Sequence, residues 1–259
     1  VRVLGEMAGA YHWPMNRCEF KEGLLRVMER KVHWSWPAFT GGQVAKELLH
    51  IHLEQEYGTY VRDYPILVAR AYVQCPVPAA RRVLAETIYE RETGGLSGSE
   101  SHAALFLEYP RGLGMNLERF RHIRLLPAAA RFRALLDEAC CGHGWEVAAA
   151  VTMIFLEGSE YERGVLEPKV ERQPQFAPSE HPLVKYYGLP VQNLALSRIH
   201  RQEVGRHRKA AWHLMLNCAS EAARPQVLQW MGQVLHAWYS YRDEVAEHCG
   251  LVRAVQARH

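Results

Sequence analysis

The 259-residue sequence lacks any apolar run long enough to cross a bilayer. Its longest near-apolar stretch, Val147 to Leu156, is interrupted by Thr152 and falls far short of the roughly 20 residues that a helical span takes. No membrane partner is expected. Charge of one sign is also missing: 31 basic against 28 acidic residues leave a formal net charge of +3. No segment concentrates Lys and Arg, so no nucleic-acid partner is expected either. The cysteines Cys18, Cys75, Cys140, Cys141, Cys218 and Cys249 form no Cys-x-x-Cys pair and no zinc-type spacing. They read as reduced, mostly buried thiols and point to a cytoplasmic setting. The first residues show no basic segment followed by an apolar core, so no secretory leader is expected. Period-two alternation is nearly absent, as are internal repeats and low-complexity tracts.

Helical periodicity fills the space these absences leave. Stripes of period 3.6 predict helices at 19–33, 42–73 with a kink or break at Pro65, 77–93, 102–113, 127–141, 143–167, 190–218 and 222–248. Pro37 with Gly41 and Gly42, the pair Pro76 and Pro78, the run Gly94 to Ser99, Asn116 with Pro127, and Gly142 with Gly144 supply the breaks. The fold class expected is all-α: one bundle of about seven to eight helices, forming a single domain over 1–259. The polar segment 169–181, with Pro174 and Pro178, is the best linker candidate and is read as a long loop inside that domain.

The fourteen histidines matter through their placement. On the helix 190–218, Leu196, His200, His207, Ala211 and Leu214 share one stripe, opposite Arg198, Arg201, Gln202, Arg206 and Lys209. His200 and His207 are about two turns apart, so both imidazoles can approach one point between helices, with Glu203 within reach of either. Imidazole is the commonest transition-metal ligand and carboxylate adds the hard oxygen that iron prefers. The bland alternative is a pair of hydrogen-bonded core histidines. On the preceding helix, Ala150, Met153, Ile154 and Glu157 follow i, i+3, i+4, i+7 spacing, so Glu157 continues an apolar stripe. Buried there it needs a counter-charge or a cation; at a helix end it could instead reach solvent. Leu84, Ile88 and Glu92 share a further face, and the glycine-rich loop returns the chain to His102. A solvated acidic face and a simple helix start explain this last pair equally well.

Several motifs then fall in a familiar order: WPAFTGG from Trp36, QEYGTYVRDYP from Gln55, CPVPAARRVLAETIYERETGG from Cys75, SHAALFLEYPRGLG from Ser101, FLEGSEY from Phe155, KYYGLP from Lys185 and IHRQEVGRH from Ile199. In that order they resemble the heme-oxygenase-like iron-dependent oxidases and oxygenases, relatives of the pyrroloquinoline quinone synthase and TenA thiaminase bundles, over nearly the whole chain. The resemblance implies metal ligands at Glu92, His102, Glu157, His200 and His207. Where the family has an aspartate this chain has Val204, which cannot ligate, with Glu203 beside it. One iron position is therefore expected more firmly than a second.

The resemblance also implies Fe(II), in one or two copies, with dioxygen as co-substrate. The expected reaction is N-oxygenation, oxidative C–C cleavage, decarboxylation or desaturation of a small amino-acid-like or fatty-acid-like substrate. Arg70, Lys185, Tyr57, Tyr60 and Tyr89 are candidates for selecting it. A homodimer is admitted as the assembly. Two alternatives stand beside this reading. One is a metal-free enzyme of the same fold, either a quinone-forming oxidase or a thiaminase-like hydrolase. The latter would want a cysteine nucleophile, and none here has a catalytic context. The other is a non-catalytic helical protein that binds a small molecule.

Overall fold

The computed structural model describes residues 15–167, 169–171, 174 and 177–253, with the side chains of 202–206 excepted. Among the described residues twelve α-helices run in chain order: α1 Arg17–Glu29, α2 Trp36–Thr40, α3 Leu49–Glu56, α4 Tyr64–Gln74, α5 Pro78–Thr93, α6 His102–Gly112, α7 Pro127–Gly142, α8 Trp145–Ala149, α9 Glu162–Leu166, α10 Pro182–Tyr187, α11 Ala195–Cys218 and α12 Arg224–His248. No strand occurs among the described residues. The all-α expectation holds, and the helix count rises because the long predicted segments are subdivided. The segment 42–73 divides at Asp63 into α3 and α4, with Pro65 seated in the first turn of α4 where its missing N–H costs nothing. The segment 143–167 divides after Leu156 into α8 and α9. Five-residue α2 and six-residue α10 are too short to carry a periodic signature.

Two helices widen into π-helical turns, α3 over Tyr57–Val61 and α8 over Ala150–Leu156. The second explains the longest apolar run of the sequence. Every residue from Val147 to Phe155 is buried, because α8 and its π extension pass through the centre and pack against α4, α7, α11 and α12. A helix buried on all sides needs no polar face. Thr152, the one polar residue of the run, donates its hydroxyl to the Ala148 carbonyl at 2.7 Å and so leaves no bonding capacity orphaned. Buried apolar side chains from Phe20 through Cys249 form one contiguous core around this axis. No described helix is long and apolar enough to cross a membrane. All six cysteines are free thiols: Cys75, Cys140 and Cys249 are buried, Cys218 is half-buried, and Cys18 and Cys141 are exposed.

The glycine-rich loop after α5 forms as expected, and its geometry is strict. Gly94 ends α5 in the left-handed region at φ 63°, donating to the Glu90 carbonyl at 2.8 Å. A Cβ on Gly94 would lie 2.4 Å from the backbone oxygens of both Ser99 and Glu100. Gly94→Ala is therefore expected to cost about 2 kcal/mol or more, read as a lower urea midpoint at unchanged m-value. An effect within about 0.5 kcal/mol, the range of ordinary surface changes, would show that the loop yields freely.

Candidate active site

The end of α5 and the loop behind it set one side of the site. Glu90 is fully buried and turns its carboxylate back into the loop. Its Oε2 accepts the amides of Leu96 and Ser97 at 2.8 and 3.1 Å, and its Oε1 accepts the Ser97 hydroxyl. The same Oε1 lies 3.6 Å from Nε2 of His102, at the start of α6. Ser101 caps α6, its hydroxyl accepting from the Ala104 amide at 3.2 Å, so the entry angle of His102 is fixed by backbone bonds.

Arg91, the next residue along α5, is only 7% exposed and lies at the centre. Its Nη1 donates to Nδ1 of His102 and, at 3.1 Å, to Nε2 of His200 on α11. Its Nη2 donates to Oε2 of Glu157, at the end of the π-helical stretch. The guanidinium also lies 5.3 Å over the Tyr64 ring of α4. The two imidazole rings are 5.3 Å apart. Arginine can only donate, so both facing imidazole nitrogens act as acceptors and both rings are neutral. Burial, and then the Arg91 charge, lower the pKa of His102 to about 3 and that of His200 to about 4. Burial pushes Glu157 up, but the Arg91 guanidinium bonded to it brings it below its usual value, so it stays ionised.

A second buried ion pair holds the frame. Arg208 of α11 and Glu162 of α9 are 4% and 3% exposed, with Nη2 to Oε2 at 2.6 Å. Trp212 Nε1 donates to the same Oε2 at 2.6 Å, and the Ser159 amide donates to Oε1 at 3.2 Å. Arg208 also donates to the carbonyls of Met153 and Ile154. Through these bonds Arg208 ties α11 to the backbone immediately before Glu157.

The structure brings His102, His200 and Glu157 together around Arg91, and His207 lines the cavity beside them. Glu92 does not join them: it is exposed. The reason is helical phase. From Leu84, Glu92 is eight residues on and about 80° off the stripe, whereas Arg91 at seven residues is only about 20° off. Arg91 and Glu90 were missed because charged residues are usually assigned to the solvent face. The Ala80, Leu84, Arg91 stripe carried the signal. The side chains of Glu203 and Val204 lie outside the described residues, as do Pro168, Arg172, Gln173, Gln175 and Phe176 of the long loop region.

Arg91, Glu157 and His207 open onto a cavity of about 80 Å³, whose apolar wall includes Val83, Leu96, Met153 and Ala211. That volume holds two or three water-sized molecules. None of Arg70, Lys185, Tyr57, Tyr60 or Tyr89 lines it, and no cysteine does among the described residues. Arg70 is paired with Asp137 and Lys185 with Glu180, while Tyr57 stacks on Phe106 and Tyr60 donates to Glu56.

The helical bundle has the all-α, heme-oxygenase-like fold. The family model described as iron-containing redox enzyme matches residues 50–239, and the chain belongs to that family. Its fold is similar to that of a TenA homolog from Pseudomonas syringae pv. tomato, with a TM-score of 0.63 and 14% identity, over 91% of this chain and 97% of that one. No curated protein matches.

The family's description implies iron, and the residues present do not fit a metal ion in this arrangement. His102 Nδ1, His200 Nε2 and Glu157 Oε2 are the atoms a metal would take, and each already accepts an N–H from Arg91. A divalent ion about 4 Å from a guanidinium would meet roughly 8 kcal/mol of repulsion at an effective dielectric near 20. Among the described residues, no group of three or more His, Cys, Asp or Glu could hold a metal ion.

Proposed function

We propose that the chain is an oxidoreductase that oxidises a small amino-acid-like or fatty-acid-like molecule with dioxygen, at the Arg91 cluster and without a resident metal. The observation that supports this most directly is the guanidinium of Arg91 bonded to Glu157, His102 and His200 at the edge of a cavity. The expected Fe(II) is not carried into this reading, because an iron-dependent oxygenation would need Arg91 to withdraw from all three donors. The metal-free oxidase on the same bundle keeps them. In that chemistry Glu157 takes a proton from the bound substrate as a general base. The carbanion gives two electrons to dioxygen, which takes up the proton held by Glu157 and a second proton released by the substrate as it becomes unsaturated, and leaves as hydrogen peroxide. Arg91 stabilises the negative charge that develops on the substrate and on reduced oxygen. The neutral imidazoles accept from Arg91 and fix its orientation.

Oxygen uptake and peroxide release, screened against amino acids and fatty acids with chelator-treated protein, test the proposal. Substrate-dependent uptake that survives chelation is expected, with Glu157→Gln lowering kcat by about 100-fold or more. Activity abolished by chelation and restored by Fe(II) would return the iron-dependent reading. No uptake, with ligand-induced shifts in Tm alone, would make the chain a binding protein.

A further inference from the structure

We infer that Arg91 is a built-in cation standing where a metal ion would otherwise sit, and that removing its guanidinium converts His102, His200 and Glu157 into a site for one divalent transition metal. This rests on the reading that the Arg91 cluster is the functional centre. The three donors come from α6, α11 and the end of the π-helical stretch, so each is placed by a different element, yet all three bond one guanidinium. Two neutral imidazoles and one carboxylate form a nitrogen and oxygen set that suits Fe(II), Co(II) or Zn(II).

The surroundings are those of a ligand shell. His102 turns Nε2 toward the Glu90 carboxylate at 3.6 Å and has no other partner there, so its Nδ1 lone pair points inward. A carboxylate behind the far nitrogen is the usual support of a metal-bound histidine. Glu90 is itself locked by the Leu96 and Ser97 amides. Charge argues the same way: half-buried Glu157 is stabilised by a neighbouring cation, and Arg91 supplies it. With the guanidinium between them the three donors form no group that could hold a metal ion, and its loss lets them close on a common point.

Arg91→Ala and Arg91→Gln, prepared metal-free beside the wild-type chain, test this by anaerobic equilibrium dialysis with Co(II) and by Co(II) d–d absorption. The wild type is expected to retain no stoichiometric Co(II). Arg91→Ala should retain about one equivalent, with bands of nitrogen- and oxygen-bound Co(II). Adding His102→Ala should weaken that binding by about tenfold or more. If Arg91→Ala does not fold, Arg91→Gln carries the same comparison. Wild type binding one equivalent as tightly as the variants would overturn the inference. So would folded variants that bind none. Dialysis and absorption need no turnover, so a failure of the proposed oxidation shows in oxygen uptake and a failure of this inference shows in Co(II) retention.

Discussion

Glu162→Ala should lower stability by about 3–5 kcal/mol, the largest effect expected of any single substitution outside the apolar core. Its carboxylate accepts from Arg208, from Trp212 and from the Ser159 amide, with Glu162, Arg208 and Trp212 all buried. Truncation removes the negative charge paired with the Arg208 guanidinium and leaves that cation buried. It also strands the Trp212 N–H. Urea unfolding at pH 7.5 measures the loss, and Arg208→Met measures the other half of the pair. Because replacing a buried ion pair by apolar groups is often near neutral, Glu162→Leu with Arg208→Met should be more stable than the sum of the single losses predicts. A coupling of about 2 kcal/mol or more is expected. A loss under about 1 kcal/mol for Glu162→Ala would mean that water reaches the pair. Arg208 also holds the Met153 and Ile154 carbonyls. The variant should therefore loosen Glu157 and reduce turnover beyond what partial unfolding explains.

What could be read from the sequence was punctuation and phase. Gly94, Pro127 and the Gly142–Gly144 pair ended or began helices where they stand, because a proline or a left-handed glycine acts locally. His200 and His207 on α11 were legible because a long amphipathic helix keeps one phase, and both reach the site region. Glu157 was reached by a spacing argument that the structure makes incidental. The π-helical turn before it changes the residues per turn, and every neighbour from Val147 to Phe155 is buried whatever its phase. Arg91 was illegible for a physical reason. A charged residue on an inward stripe is credible only when its partners are known, and these come from residues up to 109 positions away. Family resemblance drew attention to the carboxylate at Glu92, one position past the side chain that enters the site.

Acid should destabilise the protein between pH 7 and 5, far above the range where carboxylates titrate. Burial, then a neighbouring arginine, holds His33, His52 and His200 down at about 4 and His102 at about 3, against an ordinary 6.5. The arginine is Arg242 beside His33 and His52, and Arg91 beside His102 and His200. A pKa lower in the folded than in the unfolded chain means that the unfolded chain binds more protons. This contribution is complete above about pH 6.5 and is lost as pH falls toward 4. Each such histidine costs at most about 1.4 kcal/mol per pH unit within that window, so four together take up to roughly 5 kcal/mol per unit. An ordinary domain stability of about 5–15 kcal/mol would be exhausted before the acidic end of it. Urea midpoints at pH 7, 6 and 5 should fall steeply, with an uptake of more than two protons on unfolding near pH 5. The Arg91 cluster should fail with the fold, because a protonated imidazole can no longer accept from a guanidinium. Replacing His33 by Gln, which keeps a donor facing Asp243, should lower the slope by about one proton. Arg91→Gln should move the titration of His102 and His200 toward 6.5, which two-dimensional NMR of the imidazole protons reads directly. Stability that stays flat from pH 7 to 5 would show these rings to be solvated or already charged in the native state.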